Sequence, residues 1–251
     1  MASGAASATY SVAQSGSGNN QVYREVYALY EQLLGRDPDP AGFGFWTGSG
    51  GAGLGQMADS FLTSPEAFNS DFAVVAAFQA AHGAVPSYAQ YAAAASAIRT
   101  GAQTVGTYFL SQLGGGYSAN TLYQNLLNRA PLASEATAYN NNGPLATFES
   151  LIGYPSNTTP VGASNNEFQS TGTFHTDHTN ALYVAMLYLT ILSRDPDPGG
   201  LAFWTGIANG GGAGLLFQGN AGFATRIQIL GPGTPNQGFI GSPEFQGLFA
   251  N

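Results

Sequence analysis

The string Arg-Asp-Pro-Asp-Pro occurs twice, at 36–40 within "GRDPDPAGFGFWTG" and at 194–198 within "SRDPDPGGLAFWTG". Its two prolines leave the backbone few choices. Pro38 drives Asp37 out of the helical region and so ends any helix before it. Asp39 is a good N-cap residue and Pro40 suits the first position of a new helix. The string therefore reads as a helix-ending, helix-starting corner, and Pro196 with Asp197 and Pro198 repeats it. Arg36 and Arg194, near the negative end of the first helix, complement its dipole and can pair with the adjoining acids. Phe45 and Trp46, and their counterparts Phe203 and Trp204, are expected on the second helix, buried against the first.

The similarity extends beyond the string. Setting Arg36 on Arg194 brings Tyr30 over Tyr188 and Leu34 over Leu192, and later "FLTSPEAF" from Phe61 matches "FIGSPEFQ" from Phe239. A weaker copy, "LYQNLLNRAPLASEATAY", sets Tyr123, Arg129, Pro131 and Tyr139 on Tyr30, Arg36, Pro38 and Trp46. A fourth sets Phe78 on Tyr30, Pro86 on Pro38 and Phe109 on Phe61. The degenerate copies keep the corner and the aromatic position but lose the acids. Four related helical units are expected.

Local signals are helical. "VYREVYALYEQLLG" places Val22, Val26, Leu29, Tyr30, Leu33 and Leu34 at helical spacing, with Gly35 fit to cap its end. Ser64, Pro65 and Glu66 open another helix, and Ser87 opens the Ala-rich stretch that closes on Gly101. Repeated strand alternation is missing. The expected fold is mainly α: helix-corner-helix units forming one or more helical bundles, with an extended N-terminal arm and long Gly/Ser/Thr/Asn-rich loops. The expected division is an arm at 1–20, a helical domain of about three quasi-repeats at 21–153, a linker or surface loop at 154–180, and a C-terminal unit with a Gly-rich insertion at 181–251.

The acids also admit a metal reading, in which Asp37, Asp39, Asp195 and Asp197 are candidate calcium carboxylates. Calcium takes six to eight oxygens, and two carboxylates fixed between prolines fall short of that without distant help. The "HTDHT" stretch at 175–179 is a second candidate metal patch, more simply read as solvated. There is no cysteine, no Gly-Lys-Ser/Thr phosphate loop, and no Gly-rich turn between a strand and a helix. No pair of carboxylates is marked as catalytic, and no catalytic residue is assigned.

A net charge of -8 with only six basic residues argues against nucleic-acid binding. Charged residues make up 8% of the chain against the usual quarter, so little like-charge repulsion separates copies, which favours self-association. No run of about 18 apolar residues suggests a membrane span, and the first twenty residues do not read as a secretory leader.

The stretches "LYEQLLGRDPDPAGFGFW…FLTSPEAF" and "LYLTILSRDPDPGGLAFW…FIGSPEF" resemble the bacterial domain-of-unknown-function family 4214 (DUF4214). The middle copies depart from its pattern at the positions of Asp39 and Trp46, and the last copy carries the Gly-rich insertion. That family is helical, is similar in pattern to phycobilisome linker domains, and recurs in surface-layer and secreted calcium-binding proteins. The resemblance implies an exported, assembly-forming or surface-attaching role and carries over no catalytic residue. The expectation is a non-enzymatic, extracellular structural protein that forms a homo-oligomer, filament or surface layer. The alternative is a module binding cell-surface polysaccharide such as lipopolysaccharide or exopolysaccharide. A polysaccharide-acting enzyme ranks third.

Overall fold

The computed structural model describes residues 20–48, 53–154, 177–210, 216, 219–231 and 237–247. Among them the chain is helical, with no strand. The elements are α1 (Asn20–Leu29), a π-helical turn π1 (Tyr30–Leu34), α2 (Pro40–Gly48), α3 (Leu54–Leu62), α4 (Pro65–Ala67), a second π turn π2 (Phe68–Phe72), α5 (Ala73–His82), α6 (Tyr88–Arg99), α7 (Val105–Gln112), α8 (Ala119–Leu127), α9 (Ala133–Ile152), α10 (Asp177–Thr190), α11 (Pro198–Gly210), α12 (Gly219–Leu230) and α13 (Pro243–Gly247). Helix α9 is bent where Gly143 leaves helical geometry before Pro144.

Two helices form the centre. In α5 the residues Ala73 to Phe78 are all buried, and in α10 burial is unbroken from Leu182 to Thr190. A helix that is apolar on every side belongs in an interior. Helix α10 packs on π2, α5, α6 and α11, while α12 lies against α3. Apolar residues from 26 to 245 form one hydrophobic core.

The four expected units share a backbone signature. Gly35, Gly83, Asn128 and Ser193 hold φ of 63°, 69°, 51° and 50°, the left-handed conformation that ends helices. Each stands three residues before a proline, at Pro38, Pro86, Pro131 and Pro196. Each stands five residues before the first residue of a new helix, at Pro40, Tyr88, Ala133 and Pro198. At the first and last corners the chain closes alike: the Arg36 N–H donates to the Tyr30 carbonyl at 3.4 Å, and the Arg194 N–H to Tyr188 at 3.3 Å. Ser193 takes a backbone conformation that favours glycine, which Gly35 satisfies without strain.

Helix α1 takes in Asn20, the last residue of the expected arm, and the rest of that arm lies outside the described residues. Helix α10 begins at Asp177, inside the stretch 154–180 read as a linker; residues 155–176 of that stretch, and residues 211–215 and 217–218 of the Gly-rich insertion, also lie outside the described residues.

Candidate functional site

The duplicated corner is built from five side chains, which in the first unit come from π1, α2, α3, α4 and the turn that carries Arg36. In the first unit Tyr30 on π1 is buried, and the Arg36 guanidinium lies 4.9 Å from its ring centroid. Arg36 then grips Glu66 with both ends of its fork, Nε to Oε1 at 2.7 Å and Nη2 to Oε2 at 3.0 Å. Phe61 stands edge-on to Tyr30 at 4.7 Å and carries Trp46 at 5.3 Å. The last unit repeats this: Arg194 lies 4.9 Å from the Tyr188 ring and 3.5 Å from Glu244, and Phe239 contacts Tyr188 at 5.0 Å and Trp204 at 5.4 Å. In the third unit Arg129 lies 5.3 Å from the Tyr123 ring and grips Glu135 at 2.7 and 2.8 Å. The Arg-on-Tyr pair thus recurs with its acid, but the acid arrives from a different place in the chain.

That acid was missed in the sequence. Arg36 lies 3.6 Å from Asp39, as expected, yet its closest partner is Glu66 in the later Ser-Pro-Glu segment. Ser64 caps that segment by accepting from the Ala67 N–H at 3.2 Å, and Ser242 does the same for Phe245 at 3.2 Å. The recurrence of "SPE" was the available signal, since a capped helix start holds its glutamate in a fixed place.

The four candidate calcium carboxylates have protein partners. Asp39 accepts from the Gly42 N–H at 2.8 Å and Asp197 from the Gly200 N–H at 2.6 Å, so both cap helices. These backbone bonds, with the nearby arginine, hold both carboxyls below the usual aspartate range. Asp37 accepts from the Tyr27 hydroxyl at 2.6 Å, and Asp195 from the Tyr88 N–H at the start of α6. Among the described residues no group of three or more His, Cys, Asp or Glu is placed to hold a metal ion. His175 lies outside the described residues, and Asp177 and His178 fall at the start of α10.

The other two corners are capped without aspartate. Ser87 and Gln90 form a reciprocal capping box at the start of α6. At α9 the Glu135 carboxylate accepts from the Leu132 N–H at 2.7 Å, and its bonds from Arg129, then from Leu132, keep its pKa low. Of the remaining corner residues, Pro38 is buried, while Pro131, Pro196, Trp46, Trp204 and Tyr139 are half-buried. The Tyr139 hydroxyl reaches the Tyr117 carbonyl at 3.4 Å.

One expectation fails. Phe45 and Phe203 do not bury against the first helix but stand 64% and 60% exposed, edge-on to Trp46 and Trp204. Asp39 and Asp197 fix where α2 and α11 begin, and on these helices the tryptophan turns inward and the preceding phenylalanine outward.

Two buried networks lie behind the corners. Asp59 on α3 and Arg226 on α12 form a two-pronged ion pair at 2.6 and 3.0 Å, each 5% exposed, with a further bond from Arg226 to the Leu216 carbonyl at 2.6 Å. Asp71, on π2, is fully buried and bonded by Arg99, Tyr91 and Ser70. Burial lifts its carboxyl to about 6, against the pull of the Arg99 guanidinium and the two hydroxyls. Its folded pKa therefore stands above the ordinary 3.8, and the folded chain holds that proton more tightly than the unfolded one. The stability gained from it is complete below about pH 4 and lost as pH rises through about 6. Urea midpoints measured from pH 4 to pH 7.5 are expected to fall across this window in the native chain and to fall less steeply in Asp71→Asn. Equal slopes in the two proteins would show that Asp71 does not titrate there.

Beside this network, Leu34, Arg36, Glu66, Asn69, Ile98, Thr100 and Tyr154 line an open cleft of about 390 Å3. Its walls mix apolar, aromatic, amide and charged groups.

Residues 6–72 and 162–214 match the family model described as "Domain of unknown function (DUF4214)". No curated protein and no solved structure matches the chain.

Proposed function

We propose that this chain, a member of the DUF4214 family through residues 6–72 and 162–214, is a non-enzymatic structural protein that acts outside the cell and assembles with copies of itself into a filament or layer. The observation that carries this reading is how the chain uses its charge. All six basic residues are arginines, at 24, 36, 99, 129, 194 and 226. Arg36, Arg99, Arg129, Arg194 and Arg226 are engaged in ion pairs within the chain. Little cationic charge is left to face a partner, while Phe45, Leu110, Leu132, Phe203 and Phe223 are large apolar groups open to solvent. Exposed apolar surface with little charge around it favours association with a like surface over recognition of an ionic partner.

Sedimentation velocity over a range of protein concentrations, followed by electron microscopy, tests the reading. Species that grow with concentration are expected. A monomer at every concentration, with and without calcium and at low and high salt, overturns it.

The cleft beside Arg36 favours a second reading as a module that binds cell-surface polysaccharide. Tyr154 offers a ring face, and Asn69, Thr100, Glu66 and Arg36 offer hydrogen-bonding groups around it. A glycan array without hits, with and without calcium, removes this alternative.

A further inference from the structure

The outward sides of α2 and α11 share one character that the fold itself does not explain. On α2 the exposed residues Ala41, Gly44, Phe45 and Gly48 follow helical spacing and form one face. On α11 the corresponding exposed residues are Gly199, Ala202, Phe203 and Gly206, continued by Gly210. Neither face carries a charged or hydrogen-bonding side chain. The inward sides of both helices also carry large apolar groups, since Trp46 and Trp204 pack on Phe61 and Phe239, beside the polar Thr47, Thr205 and Asn209. A helix with apolar groups on its inner and outer sides is ordinarily covered on both.

The glycines sharpen the point. At Gly42 and Gly200 an added Cβ would overlap the hydroxyl of Tyr30 or Tyr188, so the corner requires glycine there. At Gly44, Gly48, Gly206 and Gly210 an added Cβ meets nothing within 4 Å. Glycine weakens a helix relative to alanine, and nothing among the described residues offsets that loss at these four positions. Close approach by another backbone would. The phenylalanine is held at the same exposed position in two units that differ just before it, where Ala41, Phe43 and Gly44 in one are Gly199, Leu201 and Ala202 in the other.

We propose that these two faces are the contacts between copies, with the phenylalanine of one face lying on the small-residue floor of a face on the next copy. The occupant is a second copy of this chain, because each face presents both the knob and the floor that a matching face needs. At a net charge of -8, copies repel one another least where no ionised group stands. Two such faces per chain give each copy two neighbours, so growth is open-ended rather than limited to a dimer. The inference rests on the self-assembly reading and specifies its surfaces.

Phe45→Gln, Phe203→Gln, the double variant and Gly206→Leu are to be compared with the native chain by sedimentation velocity and electron microscopy, with unfolding midpoints measured in parallel. The native chain is expected to form long assemblies, each single phenylalanine variant to stop at dimers, and the double variant to remain monomeric with an unchanged midpoint. Gly206→Leu adds a side chain only where the isolated molecule meets solvent, so it is expected to keep or raise the midpoint while shortening the assemblies. Native chains that assemble beside a double variant and a Gly206→Leu variant that assemble to the same size overturn the proposed faces and leave self-assembly standing. A native chain that stays monomeric overturns both.

Discussion

Arg226→Ala is expected to cost the fold about 3–5 kcal/mol, because it strands the Asp59 carboxylate in an interior that offers no replacement for two short bonds. Asp59 and Arg226 are each 5% exposed and lie 167 residues apart, so the pair ties α3 to α12. Truncating Asp59 instead leaves a buried guanidinium without its carboxylate, and a loss of similar size follows. Replacing both with apolar residues of similar volume, Asp59→Leu with Arg226→Met, removes both desolvation costs and is expected to recover most of the loss. Urea unfolding of the four proteins measures this. Two single losses that simply add in the double variant would show that the residues act independently.

Gly42→Ala is the second large effect. A methyl group at position 42 overlaps the Tyr30 hydroxyl, and the same clash arises between Gly200 and Tyr188. Tyr30 cannot swing aside cheaply: Phe61 stands edge-on at 4.7 Å and the Arg36 guanidinium covers its face at 4.9 Å. Overpacking of this kind costs about 1–3 kcal/mol, although alanine alone would favour a helix over glycine. Tyr30→Phe removes the worst overlap and leaves Asp39 Oδ2 at 3.0 Å from the added methyl, so Gly42→Ala is expected to cost clearly less in that background. The same loss in both backgrounds would place the strain elsewhere.

These two cases mark what could be read from residue order. The corner was legible because its causes are local: a left-handed residue, a proline three later and a helix start two beyond that recur at all four units. Gly35, Pro38, Asp39 and Pro40 each act within a few residues of themselves. The pairing of Arg36 with Glu66 was half legible, since both residues recur in the repeats while only folding brings them together. Asp59 with Arg226, and Asp71 with Arg99, Tyr91 and Ser70, were not legible, because a buried charge pair leaves no periodic trace in either segment. The exposed side of Phe45 was misread. An aromatic pair on a short helix suggests two buried rings, but one helix face can turn only one of them inward, and here that is Trp46.

The acids of the duplicated string divide accordingly. Asp39 and Asp197 hold helix starts, and the bonds they accept from Gly42 and Gly200 are those a cap requires. Asp37 and Asp195 take different partners in the two units, Tyr27 in one and the Tyr88 backbone in the other. A ligand site duplicated with its unit would keep one environment for each acid. A corner needs only its cap, its proline and its aromatic plug.

Calorimetric unfolding in chelator and in excess calcium tests that claim most directly, with Asp37→Asn combined with Asp195→Asn as the control that leaves both caps intact. An ion that binds only the folded chain raises its midpoint. The corner reading predicts the same midpoint with and without calcium in both proteins. A calcium-dependent rise of several degrees in the native chain that disappears in the double variant would contradict it, and would make the repeated string a metal site.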